Sequence, residues 1–440
     1  MSAVAPDNIL ERPPSARSSS CTDSPHLHPL RAGPTLSPEA FAPIRRRMVL
    51  NCCKWDPQVG DVSTLAPFPL LIGRADWQQL CSTAEGLARE LIAAEAELLG
   101  RPDLHRKVAV PRPLRNALAE ARNRGATPAA VRTLRFDFHW TPDGWRISEV
   151  NSDVPGGFAE ASELTRLFAD SFGPSMNLAV PGDPAAAWAD AVAVAAGGAP
   201  VALLSAPGFM EDFQVVSYMA TRLVERGVAA HLAAPSQLAW AAGHASLRAA
   251  WYDGPLGAVV RFFQAEWMAQ LPRSCEWRPL VVGGRTPVTN PGTSVLTESK
   301  RFPLAWEHLA AALPTWRRLL PETRDPRDAP WRRDDGWLLK TAFCNTGDTV
   351  AARDLVSPQR WRAAARGAFL RPGHWVAQRR FETVPLATPS GDVYPCVGVY
   401  TIDGRACGAY TRIATRAVID YRAIDVALRV EGDLVQEGPA

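Results

Sequence analysis

The amino-acid sequence predicts a mixed α/β (α+β) fold, on three observations. Residues 134–138 alternate apolar and polar side chains with a period of two, which is typical of a strand. Residues 76–98 carry apolar side chains at helical spacing and are followed by Gly100 and Pro102, which favour a helix end. Residues 201–232 read as strand, helix and strand, the pattern of a parallel crossover unit.

Other segments follow the same two periods. Residues 157–168 predict a helix directly after the hairpin that residues 134–138 begin, so a loop at 151–156 leaves a strand and enters a helix. Loops of this kind often carry ligands. The remaining predicted elements are a buried strand at 257–263, strands at 338–341, 375–379 and 395–402, and a helix near 357–367.

Length and composition set the number of packed units. The chain of 440 residues is 47% hydrophobic and 21% charged, which is ordinary globular material and sufficient for two or three units. We divide it at residues 1–45, 46–190, 191–290 and 291–440. The first segment is rich in Pro, Ser, Ala and Arg without apolar periodicity, so we expect a disordered leader. Residues 191–290 are expected to form a compact α/β lobe.

Charge and cysteine usage exclude several classes of partner. The net charge of +3 gives no strong field for nucleic acid or an anionic membrane surface. The eight cysteines form no C-x-x-C pair, and we expect reduced, mostly structural thiols. The most apolar run, 191–206, is interrupted by glycine and proline, and the N-terminus lacks the pattern of a secretory signal. We therefore expect a cytoplasmic enzyme without a membrane or nucleic-acid partner.

The hairpin at 134–155 reads LRFDFHWTPDGWRISEVNSDVP and fixes a specific register. Its turn signal is Thr141-Pro142-Asp143-Gly144, for which a three-residue loop, Pro142 to Gly144, is favoured. That loop places the following residues opposite each other: Thr141 and Trp145, His139 and Ile147, Asp137 and Glu149, and Arg135 and Asn151.

This register brings two carboxylates together across neighbouring strands. Opposed carboxylates repel unless a positive group lies between them, and Arg135 alone compensates only part of their negative charge. A divalent cation such as magnesium, which prefers oxygen ligands, is the functional interpretation of Asp137, Glu149 and Asn151. A solvated polar face of the hairpin is the alternative that the motif leaves open.

Two lysines in the second half are candidates for phosphate contact. Lys300 lies in LTESKRF, and Lys340 ends a short apolar strand before the small polar loop 344–348, whose backbone amides could close over phosphates. The alternative for each lysine is a solvated surface charge. The sequence contains no Walker loop, no G-x-G-x-x-G, no G-x-S-x-G and no H-E-x-x-H, which argues against the common nucleotide loops, serine hydrolases and zinc peptidases.

Taken together, R-x-D, then E-x-N-x-D twelve residues later, the two lysines and the segment WVAQRRFETVPL resemble the glutathionylspermidine synthase-like branch of the ATP-grasp superfamily. The resemblance spans roughly residues 45–430. It implies a circularly permuted ATP-grasp fold, because the metal-ligand segment precedes the lysines in that family. Residues 46–190 and 291–440 would form the ATP-grasp parts, and 191–290 a pre-ATP-grasp-like lobe.

The resemblance also implies roles for individual residues. Asp137, Glu149 and Asn151 would ligate magnesium, and Arg135 would steady the transferred phosphoryl group. A glutamate commonly follows the hinge glutamine in the family, whereas Arg379 stands here. The implied nucleotide contacts are Lys300 and Lys340 at the phosphates, Asn345 and Gly347 in a phosphate lid, and Ala377 and Gln378 at the adenine hinge.

The implied activity is an ATP-dependent ligation of a small-molecule acid to a small-molecule amine through an acyl phosphate, with ATP and Mg²⁺ as cofactors. No sequence feature identifies the acid or the amine, and no amidase module with a Cys/His nucleophile precedes the ligase part. Three alternatives remain open: a nucleotide-binding shell that does not turn over, a small-molecule kinase without an amine step, and an α/β enzyme unrelated to ATP.

Overall fold

The computed structural model describes residues 28–59, 62–172, 177–272, 274–343 and 350–432. Residues 1–27 of the predicted leader lie outside this range, but a strand at Leu30–Ala32 and a helix at Pro38–Asn51 occupy most of the rest. The predicted leader is therefore too long at its C-terminal end. Ser37 caps the helix by accepting a hydrogen bond from the Ala40 amide, and Phe41, Ile44 and Met48 give it a buried face.

Short strands and medium-length helices alternate along the described chain. The strands are β1 (Leu30–Ala32), β2 (Gln58–Val59), β3 (Val62–Ser63), β4 (Leu70–Gly73), β5 (Thr133–Thr141), β6 (Gly144–Asn151), β7 (Leu178–Ala179), β8 (Val201–Ser205), β9 (Ala230–Ala233), β10 (Leu238–Ala241), β11 (His244–Ala249), β12 (Tyr252–Pro255), β13 (Ala258–Phe262), β14 (Val288–Thr289), β15 (Thr323–Arg324), β16 (Trp337–Thr341), β17 (Trp375–Arg379), β18 (Leu386–Thr388), β19 (Gly391–Ile402), β20 (Arg405–Ala414), β21 (Ile424–Val426) and β22 (Leu428–Glu431). The α-helices are α1 (Pro38–Asn51), α2 (Arg74–Leu99), α3 (Pro102–His105), α4 (Arg112–Arg124), α5 (Thr165–Phe172), α6 (Pro184–Ala196), α7 (Met210–Val224), α8 (Val295–Glu298), α9 (Pro314–Leu319) and α10 (Pro358–Leu370).

The central sheet is antiparallel, with the order β21-β20-β19-β5-β6 and with β18 paired to β19. The apolar side chains of β5, at Leu134, Phe136 and Phe138, are fully buried in the same core as the buried face of α2. The long amphipathic helix predicted at 76–98 is thus confirmed, and it covers one face of this sheet. The opposite face of β5 is polar and faces a cavity.

In the hairpin β5–β6 the two acids pair as predicted, but the turn and the ladder beside it differ from the prediction. Asp137 lies opposite Glu149 and Arg135 opposite Asn151, as predicted. Near the turn the prediction is wrong: Thr141 pairs with Gly144, and His139 with Arg146 instead of Ile147. The loop has two residues where three were predicted, and the extra residue Ser148 forms a β-bulge that restores the register.

A parallel sheet with the order β14-β13-β8-β9 confirms the predicted strand-helix-strand unit. Helix α7 connects β8 to β9, and the meander β10–β11–β12 follows. A separate small sheet, β15-β17-β16, packs on α10 through a tryptophan-rich core and carries Lys340 and Gln378.

Buried side chains connect several parts of the described chain. One core includes side chains from β4, β5, β8 and β20, so it crosses the predicted borders at 190 and 290. The division into segments therefore stays a prediction. The described cysteines at 52, 53, 81, 275, 396 and 407 form no disulfide. Within the described ranges, no helix is both long and apolar enough to span a bilayer.

Candidate functional site

A cavity of about 470 Å³ lies between the polar face of the central sheet and the small sheet β15-β17-β16. Strands β5, β6, β19 and β20 form one side, because their alternating side chains point away from the core under α2. Strands β16 and β17 form the other side. Among the residues that line this cavity are Arg135, Asp137, His139, Glu149, Asn151, Lys340, Gln378, Cys396, Tyr410 and Arg412.

Asp137 is the most heavily hydrogen-bonded acid of the cavity. Its carboxylate accepts from Arg135 Nε over 2.9 Å and from Arg412 Nη2 over 2.7 Å. Burial alone would raise the pKa of Asp137, but these two guanidinium groups outweigh it and hold the pKa well below its usual range. Asp137 is therefore ionised and binds two guanidinium groups.

Glu149 faces the lysines. Lys300 Nζ lies 3.3 Å from Glu149 Oε2, and Lys340 Nζ donates to the Ser148 carbonyl over 3.1 Å. Burial tends to raise the pKa of Glu149, yet Lys300 and Lys340 lower it below its ordinary value. The bulge at Ser148 thus contributes a carbonyl oxygen that holds Lys340 beside the acids.

Lys300 occupies a different position from Lys340. Both lysines border a small space of about 20 Å³ next to the cavity, but of the two only Lys340 lines the cavity itself. The Nζ of Lys300 also contacts Glu298 Oε1 and the Val150 carbonyl at 3.3 Å each. Glu298 Oε2 in turn accepts the backbone amides of Ser152 and Asp153 over 2.6 and 3.0 Å. Lys300 and Glu298 therefore fasten the loop after β6.

The predicted metal ligands lie together. Asn151 Nδ2 donates to Asp137 Oδ2 over 3.4 Å, and Asp137 lies opposite Glu149 in the ladder. Two carboxylates and an amide on one polar face fit a hard cation such as magnesium, which binds oxygen and keeps several waters. In the described part of the chain, no group of three or more His, Cys, Asp or Glu side chains is arranged to hold a metal. A cation here would depend on Asn151 and on ligands from outside the protein.

The predicted nucleotide contacts are only partly brought together. Gln378 lines the cavity and donates from Nε2 to Thr323 Oγ1 over 3.0 Å, whereas Ala377 points into the core of the small sheet. Asn345 and Gly347 lie outside the described residues. Arg379 pairs with Asp334 over 2.6 Å and lies 4.5 Å from the Trp337 ring centroid.

Arg412 and Tyr410 belong to the site but were not predicted from the sequence. Both lie on β20, which pairs with β19 and reaches the cavity only through the fold of the complete sheet. A signal exists in the sequence: Tyr410 and Arg412 are two residues apart in the same strand, so they share a face. The sequence gives no sign that this face meets Asp137.

A second ionic cluster also lines the cavity. Lys54 is buried and contacts Glu160, Asp425 and Asp56 over 2.8, 2.9 and 3.2 Å. Burial lowers the pKa of Lys54, but Asp425, then Glu160, raise it well above its ordinary value. Glu160 begins a π-helical turn at Glu160–Leu164, a feature that often marks functional sites.

The sequence matches the family described as glutathionylspermidine synthase preATP-grasp over residues 71–431. The chain belongs to this family. Its fold is similar to that of a glutathione synthetase-like effector from Globodera pallida in its apo form, with a TM-score of 0.57 and 12% sequence identity over 83% of this chain and 89% of that chain. A search of curated proteins finds no match.

These comparisons confirm the predicted family and the mixed α/β fold. At 12% identity the structural similarity supports the fold alone. In chain order the acidic hairpin β5–β6 precedes the lysine strand β16, which is the order that the resemblance implies.

Proposed function

We propose that the chain is an ATP-dependent carboxylate–amine ligase that forms an amide through an acyl phosphate. One observation carries the proposal: a single cavity brings the paired acids Asp137 and Glu149 of the hairpin beside Lys340 and Gln378 of the small sheet. Membership of the glutathionylspermidine synthase family supports the same reaction class. ATP and Mg²⁺ are the proposed cofactors.

The reaction has two steps. A substrate carboxylate attacks the γ-phosphate of ATP and releases ADP, and an amine then displaces phosphate from the acyl phosphate. Both steps build negative charge on phosphoryl oxygens, which positioned cations stabilise. Arg135 and Arg412 would supply this charge near Asp137, and Lys340 would do so beside Glu149.

The charge count around Asp137 suits an incoming anion. Two guanidinium groups share one carboxylate, which leaves about one positive charge uncompensated at this point. Glu149 and Asn151 would hold magnesium together with Asp137. When bound, the ion would offset charge on the ATP phosphates.

A second candidate is a nucleotide-binding protein that does not turn over. Two observations favour it: both oxygens of Asp137 already accept from arginines, and Arg379 stands where the family commonly has a glutamate. A kinase acting on a small molecule differs from the ligase only in lacking the amine step, so the reaction products separate these candidates.

The test is ADP release by the full chain with Mg²⁺, ATP and a panel of acids, each measured with and without amines. Glu149→Gln keeps the shape of the side chain but removes its charge, and we expect its kcat to fall about 10²- to 10³-fold. Asp143→Asn makes the same type of change at the exposed turn of the same hairpin, and it should leave kcat unchanged.

Each outcome separates one candidate. ADP release that depends on an amine and yields an amide supports the ligase. Release without amine dependence, with a phosphorylated acid as product, indicates the kinase. Binding of Mg²⁺ and ATP without any ADP release across the panel indicates the non-catalytic protein, and equal rates for Glu149→Gln and wild type contradict the proposed site.

A further inference from the structure

Tyr410 lies against both arginines that bind Asp137. The guanidinium carbon of Arg135 lies 5.2 Å from the centroid of the Tyr410 ring, and that of Arg412 lies 4.9 Å from it. Both distances are within the range of a cation–π interaction. No sequence motif includes this tyrosine, and it reaches the site from β20, which is remote in sequence from the hairpin.

Arg412 has few other anchors. Its Nη2 donates to Asp137 over 2.7 Å and contacts the Cys396 sulfur at 3.7 Å, while its Nε is buried without a hydrogen-bond partner in the described part of the chain. Two like charges that share one carboxylate also repel each other. The electron-rich face of Tyr410 offsets this repulsion and gives Arg412 a second contact.

The ring itself is held at both ends. Its hydroxyl donates to Asp425 Oδ1 over 2.6 Å, and Asp425 pairs with buried Lys54 over 2.9 Å. The backbone of Gly157 also packs against the ring, so closely that a Cβ there would lie 2.5 Å from Tyr410 Cδ1. Arg135 Nη1 donates to the neighbouring Gly156 carbonyl over 2.7 Å. Tyr410 therefore links the arginines, the loop after β6 and the Lys54 cluster.

We propose that Tyr410 is a positioning residue of the reaction centre: its ring face keeps Arg135 and Arg412 together at Asp137. The role in turnover rests on the proposed function. Tyr410 acts through the arginines, so its removal changes the chemical step more than the binding of substrates.

Two variants separate the ring from the hydroxyl. Tyr410→Phe keeps the ring face and should retain most of kcat. Tyr410→Leu removes the face, and we expect kcat for ADP release to fall about 10- to 100-fold with little change in the KM for ATP. Tyr394→Leu is the control, because Tyr394 lies on the neighbouring strand β19 and does not line the cavity. Equal kcat for Tyr410→Leu and wild type, equal losses in the Phe and Leu variants, or a loss confined to KM would overturn the proposal.

A second readout does not depend on activity. The heteronuclear NOE of the Arg135 and Arg412 Nε–Hε groups reports fast side-chain motion, and each signal is assigned with an arginine-to-lysine variant. Both signals should be rigid in the wild type, in Tyr410→Phe and in Tyr394→Leu, and mobile in Tyr410→Leu. Rigid arginines in Tyr410→Leu overturn the positioning role. A wild type that releases no ADP but shows this pattern contradicts the ligase function alone.

Discussion

The carboxylate of Asp137 brings two guanidinium groups together at one point of the cavity wall. It is nearly fully buried and binds Arg135 and Arg412, which come from strands separated by more than 250 residues of sequence. A lone buried carboxylate would be costly, whereas a paired one with several donors is stable. The same pairing holds two positive charges at one point of the cavity wall.

His139 lies two residues from Asp137 on the same face, and it gives a test of burial in the cavity wall. Its Nε2 lies 3.1 Å from the Ser148 hydroxyl, and the charged or titratable groups that influence it are Asp137, Arg412, Lys340 and Glu149. Burial lowers the pKa of His139 to about 4. The folded protein therefore binds this proton only at a pH well below that at which the unfolded chain binds it.

This depressed pKa predicts a loss of stability in acid. Between pH 6.5 and pH 4 the unfolded chain is protonated at His139 and the folded chain is not, so the free energy of unfolding falls as the pH falls. The wild type should lose about 2 kcal/mol relative to His139→Gln between pH 8 and pH 5. Urea unfolding of both proteins at the two pH values measures it. A constant difference between them would show that His139 is not buried in its neutral form.

At the residue scale, strand periodicity and a short turn act locally and predict Asp137, Glu149 and Asn151 as neighbours. The sequence placed Lys340 with them only through the family resemblance. It could not identify Arg412, since its proximity to Asp137 depends on the pairing of β19 with both β5 and β20. Nor could it separate Lys300, which fastens a loop through Glu298, from Lys340, which lines the cavity.

At the element scale, the hairpin shows how a correct pairing can follow from two wrong steps. The predicted three-residue loop and an unbulged ladder give the same register at the acids as the observed two-residue loop with a bulge at Ser148. A bulge leaves one residue unpaired in the ladder. Here that residue is Ser148, and its carbonyl accepts a hydrogen bond from Lys340. The contact across the cavity is absent from any local pattern.

The loop after β6 is fixed by buried polar contacts. Asp153 and Arg261 are both buried and form a bidentate pair, and Asp153 also accepts from the Ala265 amide over 2.7 Å. Asn290 donates to the carbonyls of Ser152 and Asp153 over 3.2 and 2.7 Å. These contacts tie the loop to β13 and to the segment after β14, which places Asn151 relative to the acids.

Gly157, at the end of this loop, should tolerate no side chain. Its φ of +93° already strains any other residue, and an added Cβ would meet the Tyr410 ring. Gly125 has a similar φ of +86° but open space around it, so Gly125→Ala should cost only about 1 to 3 kcal/mol of backbone strain. Gly157→Ala should cost about 1 to 3 kcal/mol more, because the ring must move.

Urea unfolding measures the loss of stability in both variants, and ADP release measures any loss of kcat. Gly157→Ala should also lower kcat, as Tyr410→Leu does, whereas Gly125→Ala should not. Equal losses of stability in the two alanine variants would show that the contact with Tyr410 is not tight.

At the scale of the whole molecule, the cavity is assembled from segments near residues 54, 137, 149, 340, 378 and 412. The predicted fold class and family follow from local motifs and are confirmed. The assembly itself could not be predicted, because it depends on sheet pairings that span most of the chain. The predicted leader extends too far because the composition of residues 1–45 taken as a whole hides the cap Ser37 and the helical spacing of Phe41, Ile44 and Met48.

We propose that the hairpin acids and Lys340 enclose one site for a magnesium-bound nucleotide. The most direct measurement is the thermal unfolding midpoint of the full chain as a function of ATP concentration, with Mg²⁺ and with excess chelator. A ligand at 100 times its Kd stabilises the folded state by about 2.7 kcal/mol. We expect the midpoint to rise with Mg²⁺ and ATP in the wild type and in Asp143→Asn, and the rise to be lost in Glu149→Gln and with chelator. No rise in the wild type, or the same rise in Glu149→Gln, would contradict the claim.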